Sequence, residues 1–426
     1  MRRTNMKKFI LTFALMMTLT GAVRAQFTAG NLVILRVGDG SQTLANTGNS
    51  IFLEQRDLSG NLVNTLPIPD TLPNGLFVTG NATSEGQLSR SADGRYLTFG
   101  GYNTNRPTAV SVVTTTSATV PRGIGQVDAS GTYTLAATTL SQYSASNIRS
   151  GVTDGTNNFW GAGANSGTIY FGNFAPASVV QASIVNTRVV NIFNGDLYFS
   201  TASGTQPGIY FLGTGGMPTG TATTNLLFTT AGTGVGTSSP YDFAMNTNKT
   251  IVYVADDRTI ANGGGIQRWD FNGSIWTLSY TLNTGAAGTR SLAVNFSGAN
   301  PVIFAVTAES SLNRVISISD VGAGSSATLL ATAPANQIYR GIKFSPVTPA
   351  TPIVRPVLSI GLLSSQVVLS WSTNAVNFVL QSVATQPGST NWTNVPDSPV
   401  IDGDHYAVTN AIVGTNNFYR LILPTF

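Results

Sequence analysis

The stretch GGIQRWDFNGSIWTLSYTLN, residues 264–283, reads as two strands around a turn, and stretches like it recur along the chain. In its second half Trp276, Leu278, Tyr280 and Leu282 alternate with Ile275, Thr277, Ser279 and Thr281, the period-two pattern of a sheet with one more apolar face. The turn is Asp270-Phe271-Asn272-Gly273. Asn-Gly accepts the positive φ angles of a tight hairpin, and an Asp opening the turn is expected to accept hydrogen bonds from the amides after it. The same punctuation stands at Asp57-Leu58-Ser59-Gly60 in FLEQRDLSGNLVNTLPIP and at Asp128-Ala129-Ser130-Gly131 in GIGQVDASGTYTLAATTL.

A second kind of hairpin lies just upstream of the first: GQLSRSADGRYLTFGGY, RSGVTDGTNNFWGAG, RVVNIFNGDLYFSTA, YDFAMNTNKTIVYVAD and RSLAVNFSGANPVIFAVTA. Each is followed by a hairpin of the opening kind, so the repeating unit has four strands, which is one propeller blade. Five units are complete. Near the start NLVILRVGDG, SIFLEQRD and NLVNTLPIP supply strands without an inner one, and YRGIKFSP, residues 339–346, supplies a lone strand resembling RSLAVNF. Joining the two fragments predicts a six-bladed β-propeller closed by its own two ends. Expected inner-strand positions are Leu88, Val152, Val190, Phe243, Leu292 and Ile342. The wide gap after Leu88, around RPTAVSVVTTTSATVP (residues 106–121), leaves a seventh blade as the alternative.

Outside the repeat, residues 1–25 carry Arg2, Arg3, Lys7 and Lys8, an apolar run from Phe9 to Leu19, and Val23-Arg24-Ala25. This is the pattern of a secretory signal peptide cut after Ala25, with a run too short to span a bilayer. Export by the general secretory route to the periplasm, cell surface or exterior is the expectation. Of the 22 basic residues, Arg2, Arg3, Lys7, Lys8 and Arg24 fall in this segment and none of the 18 acidic ones do. Residues 26–426 therefore carry 17 basic against 18 acidic residues, a net charge of −1, which removes the electrostatic case for nucleic acid. Charged residues are 9% of the chain, against roughly a quarter in ordinary domains. With no cysteine, the fold must be held by buried area alone.

After residue 346 the texture changes. Pro346, Pro349, Pro352 and Pro356 make residues 347–356 a semi-rigid linker between the propeller (residues 26–346) and a C-terminal module. Residues 357–426 hold VLSIGLL, QVVLSWST, NFVLQSVAT, NWTNV, HYAVTNAI and NNFYRLIL, short strands that read as a small immunoglobulin-like β-sandwich with Trp371, Phe378 and Tyr419 as core aromatics. VVLSWSTNAVNFVLQSVAT, NWTNV and NFYRLIL together resemble the C-terminal β-sandwich module common on exported proteins of environmental Gram-negative bacteria. In the propeller, IVYVADDRTIANGGGIQRWDFNG resembles blades of the YVTN, NHL and lactonase-like propellers. The lactonase-like members hold a metal in the central channel with Glu, Asn and Asp from different blades, a pattern that has no residue-by-residue match here.

The chemistry is sparse. The single histidine, His405, lies in the C-terminal module and reads as a strand-end residue. Zinc and the Cys- or His-based nucleophilic systems are excluded in the propeller. Calcium needs only oxygen ligands, and Asp256-Asp257 with Asp242 and Glu85 form a conceivable cluster. Arg149, Arg188, Arg290 and Arg340 each open the inner strand of a different blade, so a closed ring gathers them at one channel mouth. Glu85 and Gln87 occupy the related place in one further blade, and Tyr241 and Asp242 in another. Convergent guanidinium groups suit a carboxylate, sulfate or phosphate; their bland use is to tie blades through carbonyls. Trp160, Trp269 and Trp276 are expected between blades, and Trp392 exposed.

Two functional classes are compatible with these residues. One is an exported, non-catalytic binding or scaffold protein that takes an anionic glycan, peptide, protein or small molecule at the mouth. The other is a channel-centred enzyme, a metal-assisted lactonase or a polysaccharide lyase or hydrolase, using Glu85, Asp242 and the arginines. Propellers host both.

Overall fold

A computed structural model describes residues 26–172, 176–285, 287–348, 356–375, 378–384, 391–412 and 417–422. The expected signal peptide and linker residues 349–355 lie outside them. The chain divides into two compact units between Thr348 and Pro349.

The first unit is a β-propeller. Its first sheet has β1 (Leu32–Val37), β2 (Ile51–Arg56) and β3 (Leu62–Pro67), and the second has β4 (Leu88–Arg90), β5 (Tyr96–Tyr102), β6 (Arg122–Asp128) and β7 (Tyr133–Thr139). The third has β8 (Ile148–Thr153), β9 (Phe159–Gly163), β10 (Thr168–Tyr170) and β11 (Ser178–Gln181); the fourth has β12 (Val190–Phe193), β13 (Asp196–Thr201), β14 (Gly208–Leu212) and β15 (Thr224–Thr229). The fifth has β16 (Pro240–Met245), β17 (Ile251–Asp256), β18 (Gly265–Phe271) and β19 (Trp276–Leu282). The sixth has β20 (Thr289–Asn295), β21 (Val302–Thr307), β22 (Arg314–Ser319) and β23 (Thr328–Thr332). Strand β24 (Ile338–Phe344) returns to the first sheet and pairs antiparallel with β1, Leu32 opposite Phe344 and Val37 opposite Ile338, giving the order β24-β1-β2-β3.

Apolar clusters between sheets hold the ring. Leu35 and Leu53 of the first sheet meet Leu97 and Phe99 of the second, and Ile124 of the second meets Ile148 and Phe159 of the third. The series runs on until Phe304, Val306 and Val315 of the sixth meet Leu32, Ile34 and Ile342 of the first. All six expected inner-strand residues are fully buried, each gaining on the order of 2 kcal/mol from leaving water. Trp160 and Trp269 pack between sheets as expected, Trp269 stacking on Phe228 at 4.5 Å, with Trp276 packed alongside. Where β24 meets β4 the backbones approach so closely that a Cβ on Gly341 would lie 2.4 Å from the Leu88 amide nitrogen, so only glycine fits.

The seventh-blade alternative is not met, and one expectation about a turn is corrected. Residues 106–121 form no further blade. They contain one short 3-10 turn, Val112–Thr114, and hydrogen-bond to the β1–β2 connection through Val112 N to Asn46 O (3.0 Å) and Thr108 N to Thr47 O (3.0 Å). Val112 and Val120 bury against Phe77 and Tyr102, so a packed loop takes up the wide gap after Leu88. The opening hairpin also turns later than its sequence suggests. Asp57 and Asp128 do accept from the amides two and four residues on. Asp270 instead stays in the ladder opposite Thr277, beside Arg268, while Asn272 accepts from the amides of Ser274 and Ile275. The Arg268 partner holds Asp270 in the strand, and Asn272-Gly273 makes the turn.

The second unit has β25 (Ser359–Leu363), β26 (Gln366–Ser372), β27 (Val379–Val383), β28 (Thr393–Asn394), β29 (Val400–Asp402), β30 (His405–Ala411) and β31 (Phe418–Ile422). They form two sheets, β25-β26-β30-β29 and β28-β27-β31. Trp371, Leu369 and Val408 from one and Leu380 from the other share a core with Phe378, Tyr419 and Leu421 packed against it, which makes the unit a small sandwich. Trp392, expected exposed, is half covered by the Arg420 guanidinium, 4.3 Å from its ring centre.

Candidate functional site: an arginine-rich channel mouth

The six inner strands begin at one end of the channel, and the residues that open them converge there. The Arg188 guanidinium carbon stands 3.8 Å from the centre of the Tyr241 ring, and that of Arg290 stands 5.8 Å from it. Arg149 and Arg340 lie within electrostatic reach of the same ring and of Glu85. Of the seven residues expected at the mouth, Arg149, Arg188, Arg290, Arg340, Tyr241 and Glu85 are thus brought together.

The arginines are not equivalent. Arg149 ties sheets, donating from Nε to Ser84 Oγ (3.1 Å) and from Nη1 to Thr187 O (2.9 Å) and Asn186 Oδ1. Arg290 donates to Asp257 Oδ2 at 3.0 Å. These two match the bland expectation. Arg340 is 2% exposed and donates only from Nη2, to Gly80 O at 2.8 Å; its Nε and Nη1 have no partner among the described residues. The Nε and Nη1 of Arg188 are likewise buried without a partner, and so are both amide atoms of fully buried Gln87. Burial, and after it the neighbouring Arg188, pushes Arg149 down to about 10; burial, and after it Arg290, does the same to Arg340. Both remain cations at neutral pH, with Glu85 acting on each in the opposite sense.

Glu85 sits beside the arginines but faces away chemically. Its Oε2 accepts from Thr79 N (2.8 Å) and Thr79 Oγ1 (3.0 Å), and its Oε1 from Tyr102 OH (2.6 Å) and Asn147 Nδ2. Burial raises its pKa, although these hydrogen bonds pull the other way. Four guanidinium groups therefore face two carboxylates, Glu85 and Asp257, an excess of two positive charges. Such a mouth can take up an anion without first breaking an ion pair.

Asp242 is not at the mouth. A register shift between Pro240 and Phe243 sends Tyr241 to the mouth and Asp242 into the channel. There it accepts from Lys343 Nζ (2.6 Å), Ser291 Oγ (2.8 Å), the Leu292 amide (3.0 Å) and Asn191 Nδ2 (3.2 Å). Ser150 Oγ accepts from Val190 N, and Ser89 Oγ donates to Val190 O, so inner strands are stitched across the axis. This plug escaped the sequence reading. Its signal was a polar residue one or three positions after each mouth arginine, as Ser291 follows Arg290 and Lys343 follows Arg340.

The conceivable calcium cluster does not form. Asp256 pairs with Arg258, Asp257 with Arg290 and Asp242 with Lys343, while Glu85 is saturated by its four donors. Among the described residues no three His, Cys, Asp or Glu side chains stand where they could share a metal. Melting temperatures in EDTA and in millimolar calcium should therefore agree within error; a fall in EDTA restored by calcium would contradict this arrangement. His405 is exposed beside Asp404.

No family model matches the chain, and no curated protein matches it in sequence. Among solved structures it is similar to a candidate 6-phosphogluconolactonase from Bacteroides uniformis, at 11% identity over 92% of this chain and 99% of the other, with a TM-score of 0.39. It is also similar to a protein from Lactobacillus plantarum (11% identity, 70% and 82% covered, TM-score 0.40). A third is Sqt1 from Chaetomium thermophilum, solved bound to the N-terminus of ribosomal protein L10 (13% identity, 82% and 87% covered, TM-score 0.33).

Proposed function

We propose that this chain is an exported, non-catalytic binding protein whose propeller mouth grips the anionic group of a glycan, peptide or small molecule, with the C-terminal sandwich serving attachment or sorting. One observation carries the reading: buried donors of Arg188 and Arg340 stand without partners near Tyr241. Leaving such groups unpaired costs about 1–3 kcal/mol each, more when charged, and a ligand carboxylate or sulfate would recover much of it. The carboxylates that an enzyme would draw on are already engaged, Glu85 by four donors and Asp242 by Lys343 and its neighbours, which favours binding over catalysis. Export rests on the signal-like pattern of residues 1–25.

The test is a thermal melt of residues 26–426 with uronates, sulfated sugars and neutral oligosaccharides. A ligand at a hundredfold excess over Kd adds about 2.7 kcal/mol, so an anionic binder should raise Tm and a neutral sugar should not. Arg188→Ala and Arg340→Met should each remove the rise. Arg340→Met should also leave the ligand-free protein at least as stable as the parent, because an apolar side chain replaces a buried cation. A rise that survives both substitutions, or equal Tm across the panel, would sink the proposal.

A further inference from the structure

Beyond the Asp242–Lys343 plug the inner strands end in a second concavity, chemically unlike the first. It has a volume of about 180 Å3 and is walled by Ile192, Phe193, Met245, Val294, Phe296 and Phe344. Two cations border it. Lys343 is already neutralised by Asp242 and donates to Leu292 O as well. Arg90 is not neutralised: among the described residues it makes no ion pair or hydrogen bond, and its Nε is buried without a partner. The nearby carboxylate, Asp93, is engaged by Arg95 and Ser91.

We propose that this cup is a second binding site, for a small monoanionic carboxylate with an apolar body, its ring or short chain in the cup and its carboxylate against the Arg90 guanidinium. Size fits such a body, since an apolar cavity of about 150 Å3 suffices to hold benzene. Charge fits it too: the wall is apolar and offers one uncompensated cation, which matches one negative charge and leaves nothing for a second. A guanidinium on an apolar wall binds a carboxylate more strongly than it would in open water, because the surroundings screen less. The site stands apart from the arginine mouth, since the plug lies between them.

Isothermal titration of residues 26–426 with benzoate, phenylacetate and hexanoate tests this, with benzyl alcohol as the uncharged comparator. At least one carboxylate should bind, about tenfold or more tighter than benzyl alcohol, as expected of one charge-assisted pair. Arg90→Leu should erase that preference while retaining the parent's melting behaviour. Val294→Trp, which fills the cup from another strand, should abolish binding altogether and guards against misfolding of the first variant. Binding should persist in Arg340→Met, which disables only the mouth. The proposal fails if no carboxylate binds up to about 10 mM, if affinity is unchanged in Arg90→Leu, or if Arg340→Met removes it. It fails equally if the chain self-associates through this face, so that Val294→Trp changes the oligomeric state and no carboxylate competes.

Discussion

Asp242→Ala is expected to destabilise the propeller by about 3–5 kcal/mol, the usual cost of stripping one partner from a buried ion pair. Asp242 is fully buried and Lys343 is 8% exposed, so the lysine cannot turn to water once its carboxylate is gone. Leu292 O would remain as its acceptor, too little for an ammonium group. The Ser291 hydroxyl and the Leu292 amide would lose their acceptor as well. Adding Lys343→Met should recover a large part of the loss, because it removes the stranded charge. Urea unfolding of parent, single and double variants measures both effects. A single-variant loss under about 1 kcal/mol, or a double variant worse than the single, would mean that the plug does not tie the inner strands across the axis.

The other large effect is loss of folding on removal of β24. A chain ending at Ala333 keeps three strands of the first sheet and loses the one that pairs with β1. Leu32, Val33 and Ile34, all fully buried, would then face water; the cluster joining the sixth sheet to the first would lose Tyr339 and Ile342, and the one joining the first to the second would lose Ile338. At roughly 2 kcal/mol per large apolar side chain the loss rivals the whole stability of a typical domain, about 5–15 kcal/mol. The shortened chain should show no cooperative melt, whereas one ending at Thr348 should melt as the parent propeller does. A synthetic peptide of residues 334–348 should restore a transition to the first. Cooperative melting of the chain ending at Ala333 alone would refute closure by β24.

The strands and their grouping were readable because alternation and Asp- or Asn-Gly turns are local signals. The two fragments could be matched because NLVILRV lacked an inner neighbour and YRGIKFSP lacked outer ones. The arginines were readable for a related reason: equal positions in repeated strands must share one level of a ring. What failed depended on register. Tyr241 and Asp242 are adjacent in sequence and serve different levels of the channel, separated by a register shift between Pro240 and Phe243. Residues 106–121 left room for a further blade because of the wide gap after Leu88, and the length of a gap does not distinguish strands from a packed loop such as the one that buries Val112 and Val120. Which arginines keep spare donors depended on Asn186, Thr187, Asp257 and Gly80, which reach the mouth from loops.

The pairing of β1 with β24 also sets a schedule. Residue 32 cannot gain its inner neighbour until residue 344 exists, so a chain supplied from its N-terminus holds β1 half-paired through nearly the whole delivery of the propeller. Contacts of such long separation form slowly and late. Ring closure is therefore the natural last step of assembly, and a chain threaded through a narrow passage would stay open, without knotting itself shut, until almost all of the propeller had crossed.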